Sequence, residues 1–130
     1  MYKLLIVDDE PKIREVIKEY AEFNGYEVEE CDNGMSAVGL CKLNKYDLVI
    51  LDIMMPKLDG FSACKEIKKI QDVPIIMLSA RGEEYDKLFG FELGIDDYIT
   101  KPFSPKELMA RINAILTRRN AGKQESSDVL

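Results

Sequence analysis

The strongest constraint on the fold of this chain is a set of apolar runs of strand length, from Leu4 to Val7, within Asp47 to Leu51 and within Pro74 to Leu78. None presents a polar face, so each must be buried on both sides, as strands are when helices cover both faces of a sheet. A weaker alternating run spans Tyr26 to Glu30, and a short one spans Asp97 to Ile99. Between them, apolar residues recur at helical spacing: Ile13, Val16, Ile17 and Tyr20; Met35, Val38 and Cys41; Phe61, Cys64 and Ile67; Leu88 and Phe91; Leu108, Ile112, Ile115 and Leu116. Pro11, Asn33, Asp59 and Ser104-Pro105 suit helix entry, and Gly25 and Gly94 suit helix exit. Five strands alternating with five helices predict an α/β fold with a doubly wound, five-stranded parallel sheet in the order 2-1-3-4-5. The last helix is expected to end near Arg118-Arg119. That makes residues 1–119 one domain and 120–130 a linker or disordered tail.

Bulk properties fit a single domain and narrow its partners. The chain has 130 residues, 46% of them hydrophobic and 32% charged, enough for one core. A net charge of -6 argues against this chain gripping nucleic acid by itself. Three scattered cysteines, with no CxxC pair, predict reduced thiols and a cytoplasmic location. The first apolar run is too short for a signal peptide or a membrane span, so no membrane association is expected. The chain contains no histidine, so any imidazole in its chemistry must come from a partner.

Several of these elements end on chemistry-bearing residues. Asp8-Asp9 follows the first strand, Asp52 the third, Ser79 the fourth, and Lys101-Pro102 the fifth. The carboxyl ends of parallel strands share one edge, where open α/β sheets bind ligands. Taken singly, Asp8-Asp9 reads as a turn and cap, Lys101 as a solvated lysine, and Ser79 as a backbone-satisfying hydroxyl. Together they make a site. Three carboxylates held close repel one another unless protonated or bound to a cation. Magnesium suits this hard oxygen set, and the lack of histidine and of clustered cysteine disfavours zinc or copper. A carboxylate beside magnesium can also attack phosphorus, and Asp52, on the central strand, is the candidate nucleophile. Lys101 offers a positive charge and Ser79 a hydroxyl for the phosphoryl oxygens.

The set Asp8-Asp9, Asp52, Met55-Pro56, Asp59-Gly60, Ser79-Ala80, Tyr98 and Lys101-Pro102 resembles that of two-component response-regulator receiver domains, over about residues 1–119. The resemblance implies a flavodoxin-like receiver fold with Asp52 as phosphoacceptor for a sensor histidine kinase. It makes Asp9, Asp52 and the Met54 carbonyl the magnesium ligands, with Asp8 holding a metal-bound water. Lys101 and Ser79 would bind the phosphoryl group, Ser79 and Tyr98 would form a switch, and Lys101-Pro102 would be cis. The chain would catalyse its own phosphorylation and dephosphorylation without being a metabolic enzyme. Residues 81–84 and 94–108 are similar to the OmpR/PhoB transcription-factor subfamily. That similarity implies dimerisation on activation through the fourth helix, fifth strand and fifth helix, with control of transcription through a DNA-binding domain outside this chain. Expected charge pairs between copies are Lys87 with Glu107, Asp97 with Arg111, and Asp96 with Arg118, around an apolar centre including Leu88 and Leu93.

Other readings fit less well. A haloacid-dehalogenase-type phosphohydrolase needs a second acid two residues after its nucleophile, where this chain has Met54. A flavin carrier would meet repulsion from Asp8-Asp9-Glu10 at its phosphate. The remaining alternative is a phosphorylation-independent, receiver-like interaction module.

Overall fold

A computed structural model describes residues 1–128, with only the backbone course described from 123 onward. The strands are β1 (Lys3–Val7), β2 (Glu27–Cys31), β3 (Leu48–Asp52), β4 (Ile75–Ser79) and β5 (Asp97–Thr100). They alternate with α1 (Pro11–Phe23), α2 (Gly34–Leu43), α3 (Gly60–Ile70), α4 (Glu84–Glu92) and α5 (Pro105–Asp128). All pairings are parallel and the order is β2-β1-β3-β4-β5, as the alternation predicts.

The continuous apolar runs divide by the two-residue period of a strand. Leu4, Ile6, Leu48, Ile50, Ile76 and Leu78 face one core with Ile17 and Ala21 of α1 and Leu108, Ile112 and Ile115 of α5. Leu5, Val7, Val49, Leu51, Ile75 and Met77 face the other, with Ala37 and Cys41 of α2 and Ala63, Cys64 and Ile67 of α3. Fully burying each large side chain contributes about 1.5–3 kcal/mol, so both layers are needed to hold the sheet. The edge strand β2 is only half-buried, which explains its weaker, alternating pattern.

Strands β2, β3 and β4 lie one residue later than expected. Asp52 itself pairs with Leu78, and the Ile53 amide donates to the Leu78 carbonyl. The phosphoacceptor candidate therefore belongs to the rigid ladder and not to the loop. Asn33 and Asp59 cap α2 and α3 by accepting from the Ser36 and Ser62 amides. Gly25 and Gly94 take positive φ at helix exits, and Lys101-Pro102 is cis.

The expected boundary near Arg119 needs correction. Helix α5 continues to Asp128, so residues 120–128 are helical. Polarity alone suggested a break, but Ala121, Lys123, Gln124 and Glu125 are good helix formers and no proline interrupts them. Residues 129 and 130 of the expected tail lie outside the described residues. Among the described residues, no helix is long and apolar enough to cross a membrane. All three cysteines are free thiols, two buried and Cys31 half-buried.

Candidate functional site

The carboxyl ends of β1, β3 and β5 bring the acidic residues and Lys101 to one edge of the sheet. Asp8 follows β1, and its amide extends that strand by donating to the Cys31 carbonyl. Its side chain is fully buried, with Oδ1 accepting from the Glu10 amide at 2.9 Å. Oδ2 lies 2.9 Å from the Lys101 ammonium but outside hydrogen-bond geometry, leaving a buried carboxylate oxygen with no hydrogen-bond partner. Lys101 also reaches Asp52 and Glu10, each at 3.5 Å. It thus spans the ends of β1 and β3.

Asp52 is 2% exposed and accepts a long, 3.4 Å hydrogen bond from the Met54 amide. Burial, then the charge of Asp8, push its carboxyl up to about 7; Lys101 and the Met54 amide oppose this, and Asp9 adds to it. Burial works against the Lys101 ammonium, but the close Asp8 carboxylate and the charges of Asp52 and Glu10 outweigh it and raise its pKa. The site has more negative charge than its one buried ammonium can balance.

Carboxylate oxygens of Asp8, Asp9 and Glu10 lie within 4.8 Å of one another, a spacing that could hold a cation. Asp52 lies outside that trio, so Glu10 joins the candidate ligands that sequence reasoning had limited to Asp8, Asp9, Asp52 and Met54. Its position beside Asp8-Asp9 was visible, but nothing in the spacing distinguished it from a helix-entry residue. The Asp8 oxygen that lacks a hydrogen bond, the raised Asp52 pKa and the all-oxygen donor set fit a hard divalent cation such as magnesium. Asp9 and the exposed Met54 open onto a cavity of about 500 Å3, also lined by Met55, Asp59, Phe61 and Arg81.

The loop after β3 is held tightly. The Gly60 amide donates to the Ile53 carbonyl at 2.8 Å. A Cβ at Gly60 would collide with the Asp52 carbonyl oxygen and lie 2.6 Å from Ile53 Cα, so only glycine fits. Arg14, which sequence reasoning missed, donates to the Asp8 carbonyl at 2.6 Å and pairs with Glu30 at 2.9 Å, fixing α1 against β1 and β2.

Ser79 ends β4 fully buried, its Oγ accepting from the Arg81 amide at 3.0 Å. Tyr98 is buried, and its hydroxyl donates to the Arg81 carbonyl at 2.7 Å. Burial raises the Tyr98 pKa, an effect the Ser79 hydroxyl softens. Ser79 and Tyr98 therefore meet at one residue, Arg81.

Two of the residues expected to pair between copies also meet within one chain. Asp97 and Arg111 pair at 2.8 Å inside one molecule, because α5 crosses back beside β5, and Arg111 also holds Glu107 at 2.9 Å. Lys87 lies over the Tyr98 ring, 5.9 Å from its centroid, and Asp96 accepts from the Ile75 amide. Arg118 is exposed. Leu88 is 58% exposed, whereas Leu93 packs partly against its own core.

Comparison with known proteins agrees with this geometry. The family model described as response regulator receiver domain matches residues 4–113. The probable transcriptional regulator ycf27 of Guillardia theta is 54% identical over 118 residues, covering 91% of this chain and 46% of the relative. The transcriptional regulatory protein CpxR homolog of Haemophilus influenzae is 48% identical over 130 residues, covering 99% of this chain and 56% of the relative. The chain thus spans about half the length of these relatives. Among solved structures, the receiver domain of Francisella response regulator 1452 superposes with a TM-score of 0.86 at 40% identity, covering 92% of this chain and 99% of that one. The receiver domain of sensor histidine kinase PA1611 from Pseudomonas aeruginosa, described with magnesium coordinated in its active-site cleft, superposes with a TM-score of 0.77 at 34% identity, covering 90% of this chain and 95% of that one.

Proposed function

Because the chain belongs to the response regulator receiver domain family, we propose that Asp52 accepts a phosphoryl group from the phosphohistidine of a sensor kinase. The observation that carries this reading is a buried strand-end carboxylate with its pKa raised to about 7, facing Lys101 at 3.5 Å beside a cavity lined by its neighbours Ile53 and Met54. In the transfer, an Asp52 carboxylate oxygen forms a bond to phosphorus as the phosphorus–nitrogen bond to the kinase imidazole breaks. The chain has no histidine, so the donor imidazole is external.

Asp8, Asp9 and Glu10, together with Asp52 and the Met54 carbonyl, are the groups that would hold magnesium. Bound there, a divalent cation would neutralise the carboxylates, keep Asp52 ionised and offset charge on the phosphoryl oxygens. Lys101 moves from Asp8 toward the equatorial oxygens, and the Ser79 hydroxyl donates to another. Reorienting Ser79 removes the acceptor of the Arg81 amide, so the β4–α4 loop and its bond to Tyr98 shift together. Phosphorylation raises the population of a state already accessible, limited by the difference in contacts between the two states.

Dimerisation of the phosphorylated form through α4, β5 and α5 belongs to the same proposal. Leu88 is its exposed apolar contact, with Lys87, Glu107, Asp97, Arg111, Asp96 and Arg118 setting register. The names of the relatives support transcription as the output, and a cytoplasmic location with a DNA-binding domain outside this chain belongs to the same proposal. Borohydride trapping tests the acceptor. After incubation with a phosphodonor and magnesium, reduction and peptide sequencing should find homoserine at position 52, and modification elsewhere would overturn the assignment.

A further inference from the structure

Outside the acidic cleft, one charged side chain is buried among the described residues: Asp86, in the first turn of α4, 2% exposed. A buried carboxylate must be paired, and its cation is Arg81, with Nη2 at 3.1 Å from Oδ1 and 3.0 Å from Oδ2. The Oδ2 contact lacks hydrogen-bond geometry, so the pair is incompletely satisfied. Arg81 is half-exposed and belongs equally to the cleft. It lines the cavity with Asp9 and Met54, and its Nη1 lies 3.9 Å from Met54 Sδ. Its backbone carries the Ser79 and Tyr98 contacts as well. A single cation thus stands between a buried carboxylate under α4 and the cavity that Asp9, Ile53 and Met54 also line.

We propose that Arg81 is a shared cation, which a phosphoryl group on Asp52 draws away from Asp86, so that occupancy of the site destabilises the first turn of α4. This rests on the phosphoacceptor reading above. A phosphoryl group brings about two negative charges and three strong acceptors, to which a guanidinium binds in bidentate fashion. Asp86 offers one charge, already partly offset by the positive end of its own helix. When Arg81 turns into the cleft, Asp86 is left buried without its cation. Its turn must then open toward water, because an unpaired buried charge costs more than local unwinding of the first turn of a nine-residue helix whose buried residues are Asp86 and Gly90. Linkage makes the effect reciprocal: whatever weakens the hold of Asp86 on Arg81 tightens binding of the phosphoryl group.

The test is a titration with beryllium trifluoride, a phosphoryl mimic, in the presence of magnesium, followed by calorimetry and by amide exchange of residues 84–92. In the wild type, binding should accelerate exchange in the first turn of α4. Asp86→Asn, which keeps the shape and removes the charge, should bind about fivefold tighter, with no acceleration of α4 exchange on binding because no buried charge is uncovered. Arg81→Gln should bind about tenfold weaker, and Arg81→Lys should recover part of that loss. The exposed Arg81 variants keep the test decisive if Asp86→Asn folds poorly. Equal affinities for the wild type and both Arg81 variants, or unchanged α4 exchange in a wild type that binds, would overturn the inference alone. A wild type that fails to bind would overturn the phosphoacceptor reading with it.

Discussion

Replacing Asp52 with asparagine should stabilise the metal-free protein at neutral pH, although it removes the proposed nucleophile. Asp52 is buried beside Asp8, and its pKa is raised from 3.8 to about 7. In the unfolded chain the carboxyl ionises near its ordinary value, so between about pH 4 and pH 7 the folded state binds the extra proton. Stability is therefore retained below that window and lost as pH rises through it. At about 1.36 kcal/mol per pH unit, the full displacement corresponds to about 4 kcal/mol at pH 8, a ceiling that local relaxation and water entry reduce to about 2 kcal/mol. Asparagine is isosteric, can still accept from the Met54 amide, and leaves Lys101 its closer partner Asp8. Thermal melts in chelator at pH 8 should place the variant about 6–10 °C above the wild type, and at pH 4 the gain should fall to about 1 kcal/mol or less. Magnesium should raise the wild type at pH 8 and narrow the difference. A variant less stable than the wild type at pH 8, or a gain independent of pH, would refute the electrostatic account.

Other perturbations act on separate parts of the site. Gly60→Ala forces a Cβ against the backbone of Asp52 and Ile53, which cannot yield as a side chain would; urea melts should show a loss of about 3 kcal/mol. Lys101→Met leaves Asp8 buried without its ammonium and should cost about 3 kcal/mol in chelator, partly recovered with magnesium, as denaturant titrations would show. For dimerisation, sedimentation of the phosphorylated protein should show a dimer that Leu88→Glu returns to monomer while phosphoryl uptake is unchanged.

The sheet could be read from sequence because its central strands are buried on both faces, so Leu4-Leu5-Ile6-Val7 and Leu48-Val49-Ile50-Leu51 carry no polar residue that a helix or an exposed strand would require. Asp8, Asp52 and Lys101 were legible for a related reason, since charge at the end of such a run calls for partners at the shared edge. Other features depended on how distant segments meet. Asp97 and Arg111, fourteen residues apart, pair only because α5 folds back beside β5. The link from Arg81 to Asp86 depends on the path of the β4–α4 loop, and neither residue carries a spacing signal. The continuation of α5 to Asp128 is not legible from polarity, because a polar segment of helix formers carries no stop without a helix breaker.

The most direct test of the central claim is intact-protein mass after incubation with acetyl phosphate, with magnesium or chelator, for the wild type and Asp52→Asn. The account predicts gain of one phosphoryl group by the wild type with magnesium, and none in chelator or in the variant. Uptake by Asp52→Asn equal to that of the wild type, or no uptake by folded wild type supplied with either acetyl phosphate or a phosphorylated sensor kinase, would contradict it.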